Sequence, residues 1–463
     1  MTKLGTLACA AALLAACGTD ATRMTDATRM TNATSSSPEA AVEAAQATPP
    51  TYWADLAPIL NDKCTQCHQA GGIAPFALDN YADAASWANL VAAMTESRLM
   101  PPYLVQVGGE CGSFDERDAL TDEEIALIGR WADGERLEGT PVTMTPREPR
   151  HLDDGLDVFT PEFTPQIEGG PLAAFDEYRC FPIELGLEQE AYVTAFEFEP
   201  GNPRIVHHLI AMLVDPAAPS GVEGRTNREQ MAELDQQDPE RAGWHCFSEA
   251  GDGVAVESAP GAWAPGAGVY SFPAGTGVRV QPGRQLVVQV HYNLADPTVI
   301  GQSDRTRARL QLRPNVERQA VILLSDAFLG TLGNAVPDAL EPGVPNARYS
   351  WTRPGAALGI PPGVPAEIVS ISPHMHQRGR KFTFELGRDG AFDCQGHVER
   401  WDFNWQRAYD YTEPLAVDAN SELRVSCEYD TSGDTQPVLP GWGTQNEMCE
   451  LTTMLAFPPG VRF

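Results

Sequence analysis

Apolar positions follow a helical rhythm before about residue 140 and a strand-like one after about residue 160. Tyr52-Trp53-Ala54-Asp55-Leu56 opens an amphipathic segment that runs to Cys64, and Ala84 to Met94 forms a second. Thr121-Asp122-Glu123-Glu124 starts a third, with an N-cap and an acidic first turn. Residues 51–140 therefore predict an all-α domain, and the Pro-, Thr- and Arg-rich residues 141–160 a linker. Strand-like runs follow at Val193–Glu199, Ile205–Asp215, Leu286–Tyr292, Ala308–Leu312 and Ala320–Leu324. They continue at Glu367–His376, Glu422–Tyr429 and Leu451–Phe457. Short strands separated by Gly- and Pro-rich turns predict two antiparallel β-sandwiches, 161–313 and 314–463.

The first residues carry a different pattern. Lys3 precedes a short apolar run, Leu4 to Ala16, which fits a secretory signal and is too short for a permanent span. It ends in Leu14-Ala15-Ala16-Cys17-Gly18, which resembles the lipobox of bacterial lipoproteins. On that reading residues 1–16 are removed and Cys17 takes the lipid; the alternative is an ordinary signal with a chance Cys. Residues 17–50 contain the repeat Thr-Asp-Ala-Thr-Arg-Met and a Ser run, a composition that predicts a disordered tether. The expected location is membrane-anchored, facing the periplasm or cell surface. Gly18, in place of the Asp commonly linked to inner-membrane retention, favours the outer membrane. The net charge of −31 argues against a nucleic-acid partner and against polybasic attachment to lipid.

Among the ten cysteines, Cys64-Thr65-Gln66-Cys67-His68 is the C-x-x-C-H pattern of haem c attachment. Two thiols bind the haem vinyl groups, and His68 becomes an iron ligand. The surroundings resemble a small class I cytochrome c. That resemblance puts the backbone carbonyl of Pro75 against the His68 ring and makes Met100 the sixth ligand, with Met94 as competitor. A thioether ligand favours Fe(II) and suits electron transfer.

Five further histidines fall in three strand motifs: Val206-His207-His208-Leu209, Gln289-Val290-His291-Tyr292 and Pro373-His374-Met375-His376. At i and i+2 on a strand, His374 and His376 are expected to point together. Met448 follows in Asn446-Glu447-Met448-Cys449. In this order the set resembles the type II copper, ascorbate-dependent monooxygenases, over roughly residues 160–463. The resemblance implies two jelly-roll sandwiches, each with one copper ion, facing across a solvent-filled cleft. It makes His207, His208 and His291 ligands of an electron-transfer copper, and His374, His376 and Met448 ligands of a catalytic copper that meets O2. It also implies a Cys427–Cys449 disulfide bracing Met448. Cys180 is expected to pair with Cys246 in the first sandwich, and by elimination Cys111 with Cys394. His151, His245 and His397 match no family ligand.

The resemblance is incomplete at the substrate. Peptide-amidating members hold a carboxylate with an Arg before the His pair and an Asn and Tyr after the Met; here Ser372, Glu450 and Thr452 stand there. Glu450 suits a cationic or hydroxylated substrate if it faces the cleft, and is otherwise an exposed strand residue. Trp401, Phe403 and Trp405 are read as core. The expected function is hydroxylation of a small-molecule C–H bond with O2. Electrons would come through the haem from a periplasmic donor or an ascorbate-like reductant. The alternative is a non-enzymatic electron relay or copper-holding lipoprotein.

Overall fold

The computed structural model describes residues 48–70, 74–143, 151–167, 175–246, 249–264, 268–326, 339–443 and 445–461. The signal run, Cys17, nearly all of the tether and Gly71–Ile73 lie outside the described residues. Pro49–Phe463 form one compact unit. Among the described residues no helix is long and apolar enough to cross a membrane.

The helical part begins with a π-helical turn, Tyr52–Leu56, which runs into α1 (Ala57–Lys63). α2 (Tyr81–Glu96) starts where the Asn80 side chain accepts the Asp83 N–H. α3 (Asp122–Asp133) carries the predicted Thr121 cap as a full capping box with Glu124. Tyr52, Leu56, Leu60, Ala84, Ala88 and Trp131 form its core.

The strands of the first β region are β1 (Leu156–Phe159), β2 (Asp176–Glu184), β3 (Ala191–Glu199), β4 (Val206–Val214), β5 (Trp244–His245) and β6 (Ser258–Trp263). They continue with β7 (Tyr270–Ser271), β8 (Thr276–Val280), β9 (Gln285–Asn293) and β10 (Arg307–Arg313). The second region has β11 (Arg318–Asp326), β12 (Ala347–Pro354), β13 (Ala366–His374) and β14 (Gly379–Arg388). It ends with β15 (Ala391–Val398), β16 (Tyr409–Val417), β17 (Glu422–Tyr429) and β18 (Glu450–Ala456).

A five-stranded sheet, β5-β2-β9-β4-β6, and a four-stranded sheet, β12-β17-β14-β15, each pack on one long sheet ordered β1-β10-β3-β8-β11-β18-β13-β16, with β7 added beside β3. Two β-sandwiches result, but they are not wholly antiparallel and do not stand apart. β8 and β11 pair in parallel, Thr276 to Val278 against Arg318 to Ala320, and so fuse the two halves. The junction is crowded: a Cβ on Gly277 would meet Val316 Cγ1 at 2.9 Å and Tyr192 Cβ at 3.0 Å. Val369 and Met454 of the second half accordingly pack in the core of the first.

One segment crosses from the helices to the second sandwich. Val105 bridges Val398 and Phe114 bridges Tyr411. Both side chains join the core around Phe382, Phe384 and Trp401. A Cys111–Cys394 disulfide, Cα–Cα 4.9 Å, ties this segment down.

Candidate metal centre

His207 and His208 are consecutive, so a regular strand would send them to opposite faces. β4 is not regular there. Its pairing with β9 slips between Val206 and His208, so His208 faces His291 and His207 becomes the extra residue of a bulge. Nδ1 of His208 consequently lies 3.1 Å from Nδ1 of His207 and 3.3 Å from Nδ1 of His291. Behind the His291 ring, Nε2 is 3.0 Å from the buried Asp176 Oδ1, and the Tyr178 ring stacks at 4.1 Å. A carboxylate accepts, so His291 Nε2 carries the proton and Nδ1 turns its lone pair to its neighbours. Burial, then the neighbouring His291, pushes His207 down to about 4. Burial, then His291 and His207, pushes His208 well below the usual range. Three neutral imidazole nitrogens converging, two on half-buried rings and one on a buried ring, fit a metal, and imidazole suits copper.

The second group is held differently. β13 ends at His374, so strand alternation does not bring His374 and His376 together as expected. His376 lies just beyond the strand, where the chain turns toward residues 446–447. Its backbone N–H donates to Glu447 Oε2 at 2.9 Å, and its Nδ1–H to the Asn446 carbonyl at 3.1 Å. The Arg378 N–H donates to the other Glu447 oxygen at 2.7 Å. Next to this latch Met448 is buried, its carbonyl accepting the Tyr429 hydroxyl, and Cys449 is bonded to Cys427. The Gln406 amide is oriented by its Nε2–H on the Phe403 carbonyl at 2.8 Å, which leaves Oε1 to accept from His374 Nδ1. Both rings, 5.1 Å apart and nearly perpendicular, therefore hold protons on Nδ1 and lone pairs on Nε2. Two such nitrogens, with a buried methionine next in the chain to Glu447, fit a copper that cycles through Cu(I).

The two groups do not face each other across open solvent as expected. The Phe403 ring stacks on His207 at 5.1 Å and meets His376 edge-on at 5.9 Å. His374 and His376 are close enough to add to the downward push on His208. Phe403, read from the sequence as core, is thus the side chain between the groups. Trp401 is buried and donates its indole N–H to the His376 carbonyl at 3.2 Å, and Trp405 is half-buried.

At the C-x-x-C-H motif, Cys64 and Cys67 are the free cysteines among the described residues. His68 Nδ1 lies 3.0 Å from the carbonyl of Phe76, not that of Pro75. The shift follows from the turn: Ala74 N–H bonds the Cys67 carbonyl and Leu78 N–H the His68 carbonyl, which aims the residue-76 carbonyl at the ring. His68 Nε2 is left to bind. The Phe76 ring stacks on Trp87, and Trp87 and Leu90 are 41% and 39% exposed, an apolar surface for a flat apolar group to cover. Met100 is half-buried after α2, its N–H on the Met94 carbonyl at 3.2 Å.

Residues 358–456 match the family model for the C-terminal domain of copper type II ascorbate-dependent monooxygenases. That span contains His374, His376, Met448 and both cysteines of the Cys427–Cys449 bridge. Over 193 residues the chain is 26% identical to dopamine beta-hydroxylase of Canis lupus familiaris, covering 41% of this chain and 30% of that protein. Over 310 residues it is 24% identical to peptidyl-glycine alpha-amidating monooxygenase A of Xenopus laevis, covering 66% and 28%. The chain thus spans less than a third of either relative. Among solved structures, the major capsid protein P2 of bacteriophage PM2 overlaps 65% of this chain and 97% of its own. The identity there is 11% and the TM-score 0.25.

Glu450 pairs directly with His374 across β13 and β18 and is buried on that side. Burial raises its carboxyl to about 7, against the Thr452 hydroxyl that donates to it. Ser372 and Thr452 pair on the same face, so the amidating enzymes' charged clamp has no counterpart at these positions. Cys180 is bonded to Cys246. His151 sits against Glu197, and His397 is 3.0 Å from Glu399, both at the surface. His245 lies 3.9 Å from Asp238.

Proposed function

We propose that this chain is a copper-dependent monooxygenase that hydroxylates a C–H bond of a small organic substrate and draws electrons through a covalently attached haem c. One oxygen atom enters the substrate and the other leaves as water, which consumes two electrons and two protons. What supports it is the pair of histidine groups on either side of Phe403, with the ring protons of His291, His374 and His376 each held by a neighbouring oxygen. The similarity to copper monooxygenases supports it.

Copper held by His374, His376 and Met448 would supply the dioxygen chemistry, and copper held by His207, His208 and His291 the second electron. Haem on Cys64 and Cys67, with His68 and Met100 as axial ligands, would supply electrons from a periplasmic donor, replacing or supplementing ascorbate. The protein's own part is to prepare the ligands. Asp176, Gln406 and Asn446 hold His291, His374 and His376 in the tautomer that binds. Phe403 fills the space where water would stand, and Glu450 offers a carboxylate beside His374 to a cationic or hydroxylated substrate. On the same reading the chain is exported and anchored by lipid on Cys17; Cys17→Ala should release it from the membrane fraction.

The test is metal content of the matured protein together with oxygen uptake. The expected result is two coppers per haem, each lost separately in His207→Ala and His374→Ala variants, and O2 consumption matched by product. Haem without stoichiometric copper, or O2 uptake with no product, would overturn the reading.

A further inference from the structure

Residues 400–407 touch both the haem-bearing segment and the metal ligands. At one end, the exposed Arg400 guanidinium donates to the Ser97 carbonyl at 2.8 Å, three residues before Met100. At the other end, Arg407 pairs with Asp118 and lies over the rings of Tyr103 and Tyr409 at 5.5 and 5.7 Å. Both anchors thus grip the stretch that follows α2. Between them three side chains reach histidines already described. Trp401 holds the His376 carbonyl, Phe403 lies between His207 and His376, and Gln406 holds His374. The loop is stiffened locally as well. The N–H groups of Asn404 and Trp405 donate to the Asp402 side chain and carbonyl at 3.0 and 3.1 Å, and Gln406 ties back to the Phe403 carbonyl.

Electron tunnelling weakens steeply with each gap between non-bonded atoms, so a packed chain of covalent and hydrogen-bonded links outperforms solvent. Taking the haem supply proposed above as its premise, we propose that residues 400–407 form the electron path from the haem-bearing segment to both histidine groups, with Phe403 bridging the groups. In each transfer one electron leaves ferrous haem, which becomes ferric, and one Cu(II) becomes Cu(I). No proton moves. Arg400 and Arg407 are positioning residues: they keep the loop seated on the segment that carries Met100.

The test uses the full, matured chain with ferric haem and Cu(II), kept free of oxygen. A ruthenium photoreductant reduces the haem in a flash, and haem re-oxidation is followed by absorbance alongside loss of the Cu(II) paramagnetic signal. Phe403→Leu is expected to slow re-oxidation several-fold, with copper content and covalent haem counted alongside. Phe403→Tyr should restore the rate, and Arg400→Ala should slow it without touching a copper ligand. Wild-type rates in both Phe403→Leu and Arg400→Ala would overturn the path and leave haem supply standing. Absence of re-oxidation in the wild type would overturn the supply itself, and the path with it. Should Phe403→Leu fail to retain copper, Arg400→Ala decides.

Discussion

A ligand histidine is only as good as the group that fixes its proton. Asp176 receives the His291 Nε2–H at 3.0 Å and also the Asn293 amide at 2.8 Å, so it sets both the tautomer and the tilt of that ring. Replacing Asp176 with Asn keeps the shape and lets the amide present a donor to the ring. Copper affinity at His207, His208 and His291 should fall about 10- to 100-fold, the usual cost of losing such a partner. Competition against a chromophoric chelator, in a His374→Ala background that leaves one site, measures it. Unchanged affinity would remove Asp176 from the site. The residues nominated as ligands were readable as motifs. Asp176, Gln406, Asn446 and Phe76 were not, because each acts through one oxygen brought up by folding, and no spacing rule marks it. Phe403 was misread for a related reason: an aromatic between two tryptophans looks like core until the chain that covers it is known.

Elements were legible where burial alternates and obscure where it does not. β17 alternates half-buried and buried side chains along its whole length, and its predicted and observed ends coincide. β16 carries Glu413 and Pro414 in its exposed middle, and β14 opens on Gly-Arg-Lys, so neither shows a strand's composition. The bulge at His207 was equally hidden, since adjacent histidines give no sign of which strand residue is extra. The parallel β8–β11 pairing depends on two segments about 40 residues apart and on a glycine where they cross. That glycine is a usable probe. Gly277→Val would drive a side chain against Val316, Tyr192 and the Val193 carbonyl, all within 3.1 Å of a new Cβ. Overpacking of this kind should cost about 1–3 kcal/mol. It would appear as a lower denaturant midpoint at unchanged slope. A midpoint equal to the wild type would mean that the junction yields.

At the scale of the molecule, the shared sheet changes how the two histidine groups depend on one another. Two sandwiches linked by a peptide alone would melt separately, and a ligand on one would leave the other's transition in place. Here β8 and β11 continue one backbone ladder, side chains of the second half sit in the first half's core, and Phe403 of the second half lies on His207 of the first. Unfolding either sandwich exposes the other's buried edge. Calorimetry should therefore show one transition for the β region, not two. Copper should raise it as a whole, because a ligand at about 100 times its dissociation constant adds roughly 2.7 kcal/mol to the state that binds it. The decisive comparison is His291→Ala, which removes a ligand from the first sandwich only. If the sheet couples the halves, that variant loses part of the copper-induced shift while the transition stays single. If instead a second, copper-insensitive transition separates from the first, the sandwiches are independent, and the contact through Phe403 is too weak to hold the two histidine groups together.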